Sequence, residues 1–310
     1  MGVYEHLVEY GGLRVESFNE ETGPETDLPA AGEVAWAVRT GFDEKPFDEI
    51  FAAFLERVDT TQVTALVIGY WGASYDTVDT DPVKLLVDEA HRFPALRALF
   101  FGDITGEESE ISWIEHTDIS PLLAAFPLLE RFEVRGGTGL RLEPFKSDVL
   151  KVLRFEAGGL PAGVVRSVGA SELPALERLD LWLGVTEYGG DATVADLAPL
   201  LSGERLPALK HLGLENSELQ DEIAGAVAGA PVVARLETLS LAMGVMTDDG
   251  AESLLAGQPL THLRELDLHH HFLTDAMIER VRAALPGVEV DLDDQETPED
   301  DDWRYVAVSE

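Results

Sequence analysis

The chain contains no cysteine. Disulfides, thiolate nucleophiles, cysteine zinc sites and cysteine-ligated iron–sulfur clusters are therefore excluded, and a reducing compartment fits. Basic residues are scarce, 22 Lys and Arg against 59 Asp and Glu, for a formal charge of -37 at pH 7. So acidic a surface repels a phosphate backbone, and nucleic acid is not an expected partner. The charge suits a basic protein partner, a generic solubilising surface or adaptation to a salty cytoplasm. No stretch approaches the run of about 18 to 20 apolar residues that a membrane helix needs. Met1 to Gly12 carry Glu5 and Glu9 and no basic residue ahead of an apolar stretch, so no secretory signal is expected. His6 stands where a myristoylation signal needs Ser or Thr. The expected setting is cytoplasmic, away from membranes.

Catalytic signatures are missing too. There is no Gly-x-x-x-x-Gly-Lys phosphate loop, no His-Glu-x-x-His and no Gly-x-Ser-x-Gly elbow. Gly136-Gly137-Thr138-Gly139 is glycine-rich but has no Lys or helix start placed for phosphate, and it reads as a turn. Pairs such as Asp180 and Glu156 could do acid/base work, yet carboxylates are too abundant here for a pair to be informative. No cofactor is expected, and the chain does not read as an enzyme.

What is present is a repeat. Hydrophobic residues make up 45% of the 310 positions, ample for a core. The pattern L-x-x-L-x-L, with Phe, Val or Ile allowed, occurs eight times, starting at Val63, Leu96, Leu129, Leu150, Leu176, Leu209, Leu236 and Leu263. The starts are separated by 33, 33, 21, 26, 33, 27 and 27 residues. The fourth and sixth positions alternate inward on a short strand that cannot bury its own apolar face. Between strands lie helical segments with recognisable starts: Asp81-Pro82, Ser120-Pro121, and Thr274 ahead of Met277, Ile278, Val281 and Leu285. Each helix returns the chain to the same sheet edge, so the strands must be parallel, and bulky helices curve the stack.

These residues resemble the leucine-rich-repeat superfamily, nearest to its ribonuclease-inhibitor-like class, and more narrowly a bacterial leucine-rich-repeat family of uncharacterised proteins. The resemblance spans about residues 63 to 292. It implies an α/β solenoid, a right-handed superhelix with a parallel concave sheet and helices on the convex side. The superfamily's Asn at the ninth repeat position is replaced by Gly137, Gly158, Gly184 and Gly244, or by Trp71, Ile104, Ser217 and His271, with Asn216 one place early. Glycine there implies a turn made by backbone geometry.

Three regions follow: 1-62, a β-hairpin cap and degenerate first repeat; 63-292, the array; 293-310, an acidic tail and aromatic closing segment. In the first, Leu7 to Tyr10 and Leu13 to Phe18 flank Gly11-Gly12 as a hairpin. Val34, Trp36 and Val38 then alternate, and Phe47, Ile50, Phe51, Phe54 and Leu55 form a helical stripe. At the other end Val288, Val290 and Leu292 read as a last strand. Residues 291 to 302 hold eight Asp or Glu and no basic residue, the composition of a solvated tail. Trp303, Tyr305, Val306 and Val308 have no reason to lie in solvent, and either fold back on the last repeat or dock a partner.

The third, fifth and seventh repeat positions point to the open sheet face. That face begins with Ala98 and Phe100. It continues through Arg131, Glu133, Arg135, Arg154, Glu156, Arg178, Asp180 and Trp182 to His211 and Glu215, and ends at Glu265, Asp267, His269, Asp291 and Asp293. Arg and Trp are enriched at binding hot spots. The expected partner-binding residues are therefore Arg131, Arg135, Arg154, Arg178, Asp180, Trp182, His211 and Glu215, taking a protein or peptide onto a monomer; cross-strand neutralisation of carboxylates would use the same arginines. His269-His270-His271 with Asp267 and Asp275 offers an alternative, metal-dependent reading. A role as accessory subunit of a larger assembly is a third. The strand-end loops add Trp71, Tyr75, Asp76, Asp79 and Asp81, then Asp103, Glu107, Glu108, Glu110 and Trp113, rim residues without a calcium-loop pattern that suit a basic peptide.

Overall fold

A computed structural model describes residues 3–42, 44–72, 80–298 and 303–310; Tyr75, Asp76 and Asp79 lie outside them. The chain divides into two compact units, residues 2–142 and 143–309.

In the N-terminal unit, strands β1 (Glu9–Tyr10) and β2 (Leu13–Phe18) form the expected antiparallel hairpin around Gly11 and Gly12. Both glycines have positive φ, 60° and 77°, as a two-residue hairpin turn requires. Strands β3 (Ala35–Val38), β4 (Ala65–Gly69), β5 (Ala98–Asp103) and β6 (Arg131–Arg135) follow, each parallel to its predecessor from β2 onward. Helices α1 (Phe47–Arg57), α2 (Pro82–Asp88) and α3 (Ser120–Ala125) connect them. The α1 stripe is buried, and Phe51 and Phe54 each stack on Phe93, with ring centroids 6.5 Å apart. Asp81 caps α2 by accepting from the Lys84 amide. Ser120 is inside α3 rather than capping it, because the Asp118 carboxylate already accepts from the Ser120 amide and hydroxyl.

The C-terminal unit carries six parallel strands, each paired with the next: β7 (Val152–Glu156), β8 (Arg178–Gly184), β9 (His211–Ser217), β10 (Thr238–Ser240), β11 (Glu265–Asp267) and β12 (Glu289–Asp291). Helices α4 (Ala162–Ala170), α5 (Val194–Ser202), α6 (Gln220–Val227), α7 (Asp248–Ala256) and α8 (Asp275–Ala284) alternate with them. Fourth and sixth repeat positions face the helices and are buried throughout, Leu179 and Leu181, Leu212 and Leu214, Leu239 and Leu241, Leu266 and Leu268. Thr274 caps α8, accepting from the Met277 amide.

The turn geometry differs from the ninth-position expectation. Gly184 alone of the ninth-position glycines has positive φ, at 72°, while Gly244 serves close approach, since a Cβ there would lie 2.3 Å from the Gln220 side-chain oxygen. The left-handed residue more often comes one place earlier, at Gly136, Asn216, Met243 and His270.

Candidate functional site: the open sheet faces

In the N-terminal unit the open face is apolar, Ala35, Ala37, Ala65, Val67, Ala98 and Phe100, and the chain covers it itself. Tyr10 packs there with its ring edge-on to Phe100 at 5.8 Å, and Leu7, Leu13 and Val15 pack alongside. Ala98 and Phe100 are thus not an accessible surface, because an apolar sheet face left in water costs about 25 cal/mol per Å2. Polar contacts fix the covering segment. The Asp103 carboxylate, fully buried, sits 3.1 Å from Arg39, 3.4 Å from Arg135 and 3.3 Å from His6, and accepts from the Leu7 amide. Burial disfavours the Asp103 charge, but His6 and the two guanidiniums outweigh it and hold its pKa below the usual carboxylate value. Burial likewise opposes the His6 charge; hydrogen bonds to Asp103 and Glu108 win, and its pKa rises to about 9.

Arg135 and Arg131 belong to this arrangement. Arg135 is 4% exposed, lies 5.2 Å from the Phe100 ring centroid and donates to the Ile104 carbonyl. Arg131 reaches over the Tyr10 ring at 5.9 Å and pairs with Glu133 at 3.1 Å. Of the two loops, Trp71 is buried, stacked on Phe101 at 5.2 Å, and Asp103 is interior, while Trp113 is exposed.

Over β7 to β10 the open face of the C-terminal unit carries charged and polar side chains, and here the sequence-derived residues come together. Strand register places Arg154, Asp180 and Gly213 in one row, with Val152, Arg178 and His211 in the row before and Trp182 beside Glu215 in the row after. Arg178 grips Asp180 through two nitrogens at 2.7 and 3.1 Å, the strong bidentate geometry. His211 Nε2 stands 2.6 Å from Asp180 Oδ1, the oxygen that also accepts from Arg178 Nη2, and His211 contacts the Thr238 hydroxyl with its second ring nitrogen. Trp182 donates its indole N–H to Glu215 at 2.8 Å, and Arg154 lies over the indole at 5.2 Å while pairing with Glu156 at 3.0 Å. Gly213 makes room for this: a Cβ there would sit 2.7 Å from Asp180 and 3.0 Å from Glu215.

The two carboxylates are pushed apart. Burial opposes the Asp180 charge, but His211 and Arg178 bring its pKa down to about 2. Burial, reinforced by the Asp180 charge, raises that of Glu215. The guanidinium ends remain at the surface: the Arg178 side chain is 46% exposed and that of Arg154 31%. Trp182 is 6% exposed, so its ring serves as a floor under Arg154.

Among the described residues, two groups of His and carboxylate side chains have ligand atoms within 4.8 Å of one another, Asp180 with His211 and Glu215, and Asp267 with His269 and Asp291. In the first, Arg178 already compensates Asp180. In the second, His269 pairs with Asp267 at 2.8 Å, which raises the His269 pKa. His271 and Asp275 do not join it. His271 is fully buried between the Leu292 carbonyl and the Leu273 amide, because β11 ends at Asp267 and the left-handed backbone of His270, φ 54°, breaks the alternation that would put His269 and His271 on one face, and Asp275 contacts Gln295 at the start of α8. Asp291, one strand over, takes their place, a partner that local spacing around the histidine run could not reveal.

A mostly parallel sheet whose strands from β3 onward alternate with helices, except between β6 and β7, defines an α/β protein of repeat type. No family model matches the chain, and no curated protein does. Among solved structures it is similar to a Bacteroides fragilis protein known from a crystal structure, with a TM-score of 0.76 and 31% identity over 84% of this chain and 72% of that one. The chain belongs to the same family as that protein. Among the described residues no helix is long and apolar enough to cross a membrane.

Proposed function

We propose that the chain is a leucine-rich-repeat solenoid of the ribonuclease-inhibitor-like class. Its role is non-catalytic and intracellular, and it binds a protein or peptide through the open sheet face of residues 143–309. The observation that carries this reading is the pairing of Arg154 and Arg178 with buried carboxylates on their own strands, which pre-orients two guanidiniums, that of Arg154 over Trp182 and that of Arg178 at the start of β8. Orientation before binding reduces the entropy lost on association, and arginine is well suited to bidentate recognition of a partner's carboxylate or carbonyl. Thr238, the hydroxyl that His211 touches, is itself buried, which favours a scaffold over a nucleophile. Arg131 and Arg135 drop out of the proposed surface, because they secure the N-terminal segment. The test is affinity capture from the native cell with the wild-type chain and with Arg154→Gln/Arg178→Gln. Because the double variant also leaves Glu156 and Asp180 with less counter-charge, it is compared at a temperature where circular dichroism shows both chains folded; loss of the captured partner there supports the reading, and equal capture rejects it.

A second reading, divalent metal binding, is favoured by the convergence of Asp267, His269 and Asp291. Elemental analysis of untagged protein decides it: stoichiometric zinc or a similar ion supports it, and a trace amount ends it.

A further inference from the structure

Residues 303–308 return to the C-terminal unit as an extended segment, and the surface receiving them is built from three equivalent turns. Asn216, Met243 and His270 each occupy the eighth repeat position, and each holds a left-handed backbone, with φ of 55°, 67° and 54°. None is glycine, so each carries conformational strain, which persists where surrounding structure demands it and is concentrated at ligand clamps. All three touch the segment. The Asn216 amide, fully buried, donates to the Val308 carbonyl and accepts from the Val308 N–H at 2.9 Å. The Met243 carbonyl accepts from the Ala307 N–H at 2.8 Å. His270 lies 3.0 Å from the Tyr305 carbonyl. Tyr305 sits edge-on to Phe272 at 5.7 Å, and Val306, Ala307 and Val308 are buried.

All four of these polar contacts read main chain, and main-chain recognition of a peptide tolerates many sequences. The side-chain requirements are one aromatic followed by small or β-branched residues. Nearby Glu218, Asp293, Asp294 and Glu296 make the surroundings acidic, and the segment contributes Arg304 over the Phe272 ring. From this we infer that the ridge formed by Asn216, Met243 and His270 is a peptide-docking site for an extended, basic-flanked segment of a partner protein, with an aromatic residue ahead of β-branched ones. Residues 303–308 are its tethered occupant, displaced when the partner binds. Tethering gives the occupant an effective concentration in the millimolar range for a short linker, so an outside peptide competes poorly until the segment is released. This site is separate from the open face around Arg178, and neither reading depends on the other.

The test uses the full chain and a fluorescent peptide with the sequence of residues 303–310. Val306→Asp/Val308→Asp releases the tethered segment; Val308→Pro, which removes the N–H given to Asn216 and restricts the backbone at Ala307 and at 308 without burying a charge, is the milder alternative should the first perturb folding. Fluorescence anisotropy is expected to show at least tenfold tighter peptide binding to the released variants than to wild type, and at least tenfold weakening when Asn216→Ala is added. Failure of the peptide to bind released chains that unfold at the wild-type midpoint overturns the proposal, as does binding indifferent to Asn216→Ala. Concentration-dependent dimerisation of the released chain would assign the site to a second copy and overturn the partner assignment.

Discussion

Replacing Asp103 by Asn should have the largest effect of any single conservative change outside the hydrophobic core. The carboxylate is fully buried and is shared by Arg39, Arg135, His6 and the Leu7 amide. Asparagine keeps the volume but removes the charge, and it turns one acceptor into a donor facing a guanidinium. Two arginines that are both nearly buried then lose their counter-charge. Breaking a buried ion pair by removing one partner costs about 3 to 5 kcal/mol. The Arg135 stacking on Phe100 and its bond to the Ile104 carbonyl survive, which favours the lower end, about 3 kcal/mol. At 1.4 kcal/mol per factor of ten, that corresponds to about a hundredfold rise in opening of the N-terminal segment. Urea unfolding measures the first quantity and peptide-resolved hydrogen exchange over residues 3–12 the second. A loss below about 1 kcal/mol with unchanged exchange would refute Asp103 as the group that holds this segment down.

The same contact gives a pH dependence. His6 has a folded pKa of about 9 against 6.5 for the free side chain, so its contribution is complete below about pH 6.5 and is lost as pH rises through 9. Asp103, held below its ordinary value, contributes above about pH 4 and loses that contribution on further acidification. Exchange protection over residues 3–12 should therefore fall between pH 6.5 and 9, and His6→Gln should abolish that slope while leaving the acid limb. Gly213→Ala should destabilise by about 1 to 3 kcal/mol, because the added methyl meets Asp180 and Glu215. Gly225→Ala, in α6 with nothing near the new methyl, should stabilise by about 0.5 to 1 kcal/mol; chemical denaturation of the two side by side checks the contrast, and a shared sign would contradict the packing described around Asp180.

The repeat was legible because its signal is periodic: Leu179, Leu212, Leu239 and Leu266 recur at one strand position and align in register. The arginine pairings differ from the cross-strand neutralisation expected of them, because each arginine finds its carboxylate along its own strand. Arg131 and Glu133, Arg154 and Glu156, and Arg178 and Asp180 are each two residues apart, and strand period two puts such neighbours on one face. The Asp103 cluster was not, because its partners lie 96, 64 and 32 residues away and leave no local pattern. One signal did exist. Ala35, Ala37, Ala65, Val67, Ala98 and Phe100 make the N-terminal open face uniformly apolar, and such a face demands a cover that only the preceding hairpin was placed to supply. The place of Asp291 beside His269 was hidden likewise, since the two meet across adjacent strands rather than along one.

The open face around Arg178 is tested most directly by placing a photoreactive amino acid in the native cell at Val152, which sits beside Arg178 in the β7–β8 register and leaves that guanidinium in place, with a control at Arg280 on the exposed side of α8. Cross-linking to a discrete partner from position 152 and not from 280 is the expected result. A partner captured only from position 280, or none from 152 with the chain folded, would contradict binding through this face.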